Sequence, residues 1–137
     1  MRSKTAERGR RGFTLIELII VLAIIGILVG LALPEYKNSL RKSSEAVLKA
    51  DLFVFRKLID QFYHDKGKYP TSLQALVQEN YIRIIPLDPI TKSDKTWVEV
   101  REQPALDEYV PASQLGVVDV KSGSEDKALD GTLYNTW

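Results

Sequence analysis

From Phe13 to Leu33 the chain runs for twenty-one residues with a single charged side chain, Glu17, and no proline. A helix rises about 1.5 Å per residue, so this stretch reaches roughly 30 Å, the thickness of a bilayer's hydrocarbon core. A globular core has no need of so uniform a run, and the segment reads as a membrane span. A carboxylate inside a span costs on the order of 2.5–3.5 kcal/mol at the helix centre and less near the ends. Such a residue usually has a task.

The charge pattern orients the span. Residues 1 to 12 hold five basic residues (Arg2, Lys4, Arg8, Arg10, Arg11) against Glu7, whereas the remainder holds 14 basic and 17 acidic residues, a balance of −3. A basic arm beside a span stays in the cytoplasm and sends the following domain across. The acidic remainder shows no basic stripe, which argues against a nucleic-acid module. A cleaved secretory signal would have a shorter apolar stretch of about 7–15 residues followed by small residues. Here the run is longer and the small residue, Gly12, precedes it. An ordinary signal anchor explains hydrophobicity and orientation equally well.

With 137 residues, the chain has room beyond the span for one small domain of about a hundred. It contains no cysteine, so neither a disulfide nor a thiolate metal site is available. After Pro34, which should bend or locally unwind the helix without necessarily ending it, the pattern turns amphipathic. Leu48, Leu52, Phe55, Ile59 and Phe62 recur at spacings of four and three, with Val54 and Leu58 widening the stripe. Lys49, Arg56, Lys57, Asp60 and Asp65 fall largely off it. One helix from Phe13 to about His64, closed by Gly67 and Pro70, would reach roughly 80 Å. His64, the only histidine, reads as a solvated helix end. Thr71 or Ser72 caps a second, short helix carrying Leu73, Leu76 and Val77. Thr96–Val100 and Val117–Lys121 read as strands of a small antiparallel sheet. The predicted class is therefore α+β: one long N-terminal helix packed on a small sheet. Within the span, Gly26 and Gly30 are either a close-packing motif or glycines common in membrane helices.

The run Arg11-Gly12-Phe13-Thr14-Leu15-Ile16-Glu17 resembles the signature of the type IV pilin and pseudopilin superfamily: a basic leader, Gly, Phe, three residues, then Glu. The segments Tyr69-Pro70-Thr71 and Tyr81-Ile82-Arg83-Ile84-Ile85-Pro86-Leu87-Asp88-Pro89 are most similar to major, G-type pseudopilins of type II secretion systems. That resemblance implies a leader, 1–12, removed by a prepilin peptidase between Gly12 and Phe13, with methylation of the new Phe13 amine. It implies a transmembrane and polymerisation helix, 13–34, and a periplasmic domain, 35–137. Glu17 would then recruit the N-terminus of a neighbouring subunit, although a pair with its own amine four residues upstream is the alternative. Pro34 would mark local helix melting on polymerisation, and Asp60 an acid that bridges to the next subunit. Arg56 departs from members with an acid there, and Ile90–Asp94 departs from the family's Trp-Gly-Asn-Pro turn.

The tail from Asp119 to Gly131 is rich in oxygen donors, yet its spacing is not that of an EF-hand. By composition a solvated polar loop is the simpler reading. The resemblance implies a calcium ion here, with Ser122, Asp126 and Asp130 as ligands and Ser124 and the Leu129 carbonyl as further candidates. The implied function is a structural subunit, not an enzyme, of a type II secretion pseudopilus. Its implied partners are copies of itself, minor pseudopilins, prepilin peptidase, and an inner-membrane assembly platform with its ATPase; no nucleic acid is expected. The implied location is the inner membrane, single-pass, with assembly into a periplasmic fibre. The alternatives are a type IV pilin of a surface fibre, a membrane-anchored binding module, and a membrane-bound hydrolase, the last lacking any nucleophile–base set.

Overall fold

A computed structural model describes residues 12–104, 110–111 and 114–137. The leader residues 1–11, and part of the stretch from Gln103 to Ser113, which with Pro104 and Pro111 reads as a loop between the two strands, lie outside the described residues. Two compact units divide between Asn38 and Ser39.

Residues 12–38 form the first unit, which is helical from Leu15 onward, where α1 (Leu15–Lys66) begins. Every described residue in it is exposed. For so apolar a surface this means a lipid or protein environment outside the subunit. Helical geometry continues through Pro34.

In the second unit, the later part of α1 carries the core on one face. Leu48, Leu52, Phe55, Ile59 and Phe62 are buried, as their spacing predicts. Leu58 packs against this core. Val54 does not widen the stripe: it is 44% exposed and faces away from the core. The helix ends at Lys66 with Gly67 in the left-handed region at φ 67°, its N–H donating to the Tyr63 carbonyl at 2.8 Å.

Against the stripe lie α2 (Leu73–Gln78), β1 (Val98–Arg101), β2 (Val117–Lys121) and a single 3₁₀ turn, Tyr134–Thr136. Ser72 is the N-cap of α2, accepting from Ala75 N at 3.2 Å. Glu99 of β1 also accepts from Leu73 N at 2.8 Å, so the sheet helps to cap the helix. The two strands pair antiparallel, Val98 opposite Lys121 and Val100 opposite Asp119, with a bulge before Arg101. β1 begins two residues later than predicted, because Trp97 turns into the core, its ring edge-on to Phe55 at 5.1 Å and its indole N–H bound to the Pro86 carbonyl at 2.8 Å. Gly123 passes so near the Thr96 carbonyl that a Cβ would collide with it.

The stripe's N-terminal continuation is a carboxyl group. Glu45 sits three residues before Leu48, is buried, and accepts from the Tyr134 hydroxyl at 2.8 Å and from Leu129 N at 2.7 Å, both through Oε1. Arg41, one turn earlier, donates to the Lys127 carbonyl and to the Tyr134 hydroxyl. Burial raises the Tyr134 phenol above its ordinary range and the Glu45 bond adds to this, so the hydroxyl keeps its proton and remains a donor. These bonds fasten the last dozen residues to α1 without a disulfide. Glu45→Ala leaves the buried Tyr134 hydroxyl without its acceptor, at about 1–3 kcal/mol, and the half-buried Leu129 amide at a smaller cost. Thermal unfolding of the full chain in detergent should show Tm lower by about 10 °C or more. Glu45→Gln keeps an acceptor oxygen and should lose less. A Glu45→Ala protein melting with wild type would remove the tether.

Candidate functional site at the helix start, with the C-terminal loop

Gly12, Phe13 and Thr14 precede the helix in exposed, non-helical chain, with Phe13 83% exposed. The peptide bond between Gly12 and Phe13 thus lies before the helix begins, in exposed chain. Thr14 caps α1: its Oγ1 accepts from Glu17 N at 3.2 Å and its carbonyl from Leu18 N at 3.2 Å. Glu17 thus stands at the third helical position, in the first turn. Thr14-x-x-Glu17 is the spacing of a capping box, of which the threonine half is made. An acidic group in the first turn also meets the positive end of the helix dipole. Both effects offset part of the cost of a carboxylate in an apolar segment. Thr14's role was missed in the sequence although the pattern was legible there.

Asp60 is exposed, with no hydrogen bond or ion pair among the described residues, so its carboxylate is free to meet another molecule. Arg56 is not in that position. Its Nε binds Asp119 Oδ1 of β2 at 2.7 Å, and the pair ties the helix to the sheet within one subunit. The departure from the family pattern at position 56 has an internal partner.

The five candidate calcium donors fall into two groups. Ser122 and Ser124 are buried. Ser122 Oγ donates to Asp88 Oδ2 at 2.6 Å and accepts from Ser124 N at 3.2 Å, while Ser124 Oγ accepts from Asp126 N at 3.2 Å. Asp88, fully buried, also accepts from Ile90 N at 2.8 Å and Thr91 N at 3.3 Å. Asp88 is the hub of this loop, a role that its place before Pro89 did not reveal. Asp126 and Asp130 are exposed. Asp130 Oδ1 accepts from Thr132 Oγ1 at 2.6 Å and Thr132 N at 2.9 Å, which hold its carboxyl below the usual carboxylate range, with Lys49 contributing. Leu129 presents its N–H to Glu45. Among the described residues no three His, Asp or Glu side chains are grouped to hold a metal. The donor set is two surface carboxylates, a carbonyl and two serines already bonded inward. As folded, these residues do not make a closed cage for an ion that takes six to eight oxygens.

Comparison with known proteins adds two findings. Residues 8–33 match the model of the prokaryotic N-terminal methylation motif. Over 99 residues, 61% of this chain, the sequence is 32% identical to type II secretion system core protein G of Klebsiella michiganensis, covering 70% of that protein. It is 30% identical to the protein of the same name from Dickeya chrysanthemi, covering 65% of it. The chain thus spans about two thirds of these relatives. A fimbrial protein, EcpC of Eikenella corrodens, is 39% identical over 86 residues, 58% of this chain and 55% of that protein. No solved structure matches. On the strength of the helix-start motif and of identity that runs beyond it into the following domain, the chain belongs to the family of type II secretion system core protein G.

Proposed function

We propose that this protein is a structural subunit of the type II secretion pseudopilus. It polymerises through its N-terminal helix into a periplasmic fibre that helps to drive protein export across the outer membrane. The observation that carries this reading is the methylation motif over residues 8–33, coincident with an exposed apolar stretch of helix, 15–33, whose one acid lies in its first turn. A prepilin peptidase cuts between Gly12 and Phe13, and the Phe13 amine is methylated. The subunit waits in the inner membrane with its leader side cytoplasmic and residues 35–137 periplasmic. On assembly the Glu17 carboxylate takes the N-terminal amine of a neighbour, since pairing removes most of the cost of keeping either charge in a low-dielectric environment. Pro34 lets the helix yield locally, and the free Asp60 carboxylate meets a cation of the next subunit. Minor pseudopilins, the assembly platform and its ATPase are the remaining partners, and the subunit itself catalyses nothing.

Glu17→Ala should leave membrane insertion and leader removal intact, as judged by mass spectrometry of the mature N-terminus. It should abolish fibres and secretion. A variant that still assembled and secreted would refute the pairing. The fimbrial relative supports a second reading, a surface pilus subunit. Loss of adhesion or motility with export unchanged in a deletion strain would decide for it.

We further propose that the tail takes calcium, on the family resemblance and the oxygen-rich run. Asp126, Asp130 and the Leu129 carbonyl would be the outer ligands, and Ser124 and Ser122 would join by exchanging their inward bonds. Bound calcium would neutralise the loop's carboxylates and stiffen it. Chelation should then lower Tm by a few degrees, restored by calcium and not by magnesium, which dehydrates reluctantly. An unchanged Tm would refute the calcium site and leave the tail held by the bonds described above.

A further inference from the structure

The face of α1 opposite the core should be polar if the second unit were surrounded by water. It is not. Leu40, Ser43, Val47, Ala50 and Val54 recur at spacings of three and four, two positions on from the buried row, which places them about 160° around the helix from it. All five are exposed, Leu40 at 51% and Val47 at 47%, and none is charged. Lipid does not cover them: Leu40 lies seven residues past the end of a span that already fills a bilayer.

We propose that this row is a pairing seam between two copies of the chain, aligned parallel and level while both reside in the membrane before fibre assembly. The proposal rests on the membrane-anchored reading above. Two copies anchored by the same segment enter the periplasm in the same direction, and their residues 40–54 follow the anchors by the same number of residues. Identical residues therefore meet. The spacing is that of a two-heptad seam with Leu40, Val47 and Val54 in one set of core positions and Ser43 and Ala50 in the other. Small residues in the second set let the backbones approach closely. The flanks agree: a level parallel pair sets Ala46 against Asp51 and Phe53 against Leu58 of the other copy, with no like charges opposed. Beyond Val54 the next positions are Lys57 and Gln61, so the seam stops there. Two heptads are short for a free coiled coil. Anchoring raises the local concentration of one seam about another, which favours the contact without new surface.

The chain has no cysteine, so single cysteines report contacts without background. The full chain in native membranes is oxidised after Ser43→Cys, Val47→Cys, Ala50→Cys or Val54→Cys, with Lys42→Cys and Lys49→Cys as outward controls. Each seam variant should give same-position dimers in several-fold higher yield than the controls, since a disulfide forms only when Cα atoms come within about 7 Å. The yields should be unchanged when Glu17→Ala is added. Equal yields at the controls, or, when Val47→Cys and Val54→Cys chains are co-expressed, 47-to-54 dimers in place of same-position ones, would overturn the level seam. Loss of dimers with Glu17→Ala would also overturn it, because the contact would then belong to the fibre. Fibres that survive Glu17→Ala while same-position dimers persist would instead remove the Glu17 pairing and leave the seam standing.

Discussion

The elements described in residues 39–137 lean on one row of side chains, Glu45 to Phe62, along a single face of α1. A two-stranded sheet is marginal in water by itself, and a six-residue helix is far below the length at which isolated helices persist. β1, β2 and α2 therefore exist because Trp97, Val117, Val120, Leu73 and Leu76 bury themselves against that row. Their mutual ties are few and specific: Glu99 to the start of α2, Val117 N to the Pro70 carbonyl at 2.7 Å, Arg56 to Asp119. Each would be weak if exposed. Placed over an already buried apolar face, each fixes which of several packings is kept.

The two ends of the row are chemically different. At the Phe62 end the packing is aromatic, with Phe62 against Tyr81 at 5.2 Å and Tyr63 stacked on Tyr69 at 4.4 Å. At the Glu45 end it is polar and buried, and it holds the tail. A buried polar group is costly unless paired, and among the described residues no buried side-chain nitrogen or oxygen lacks a partner. The tail's position is thus specified by the need to satisfy Glu45 and Tyr134 together. In a chain without cysteine this is the tie that a disulfide would otherwise supply. Calcium, if taken, would act on the outward side of the same loop, where Asp126 and Asp130 are solvated.

What could be read from the sequence was what local rules determine. The long apolar helix, the Gly67 stop, a cap at Thr71 or Ser72 (Ser72 takes it) and β2 each follow from periodicity or capping within a few residues. The 3–4 spacing placed five core residues correctly. It placed Val54 wrongly, because a valine beside Phe55 fits a wide core stripe as well as an outer row until a neighbouring element shows which side is covered. Arg56–Asp119, Asp88–Ser122 and Glu45–Tyr134 join residues 34 to 89 positions apart. No local pattern encodes such partners. One hint did exist, since Glu45 lies on the spacing of the apolar row, and an acid at a core position implies a buried partner. The other was the Thr14-x-x-Glu17 box at the mouth of the span.

Val54 is also where the helix's two requirements meet. A helix serving only as the spine of a small domain needs one apolar face, and charge on the rest would keep it soluble. Between Leu40 and Val54 the second unit's part of α1 carries charge on its flanks, with Lys42 and Lys49 on one of them, and at the Glu45 end of the core row, but none on the row opposite the core. Keeping such a row exposed has a standing cost in solubility and in the risk of wrong contacts. Glu17 has a parallel logic at the other end of the helix, since a carboxylate in an apolar segment is tolerated only where something compensates it. Within the subunit the first-turn position and the Thr14 cap compensate in part, and nothing among the described residues covers the outer row. On the readings proposed above, a second copy of the same helix would satisfy both features, one through charge and one through packing. A chain shaped by both is better understood as part of an assembly than as a domain with an anchor.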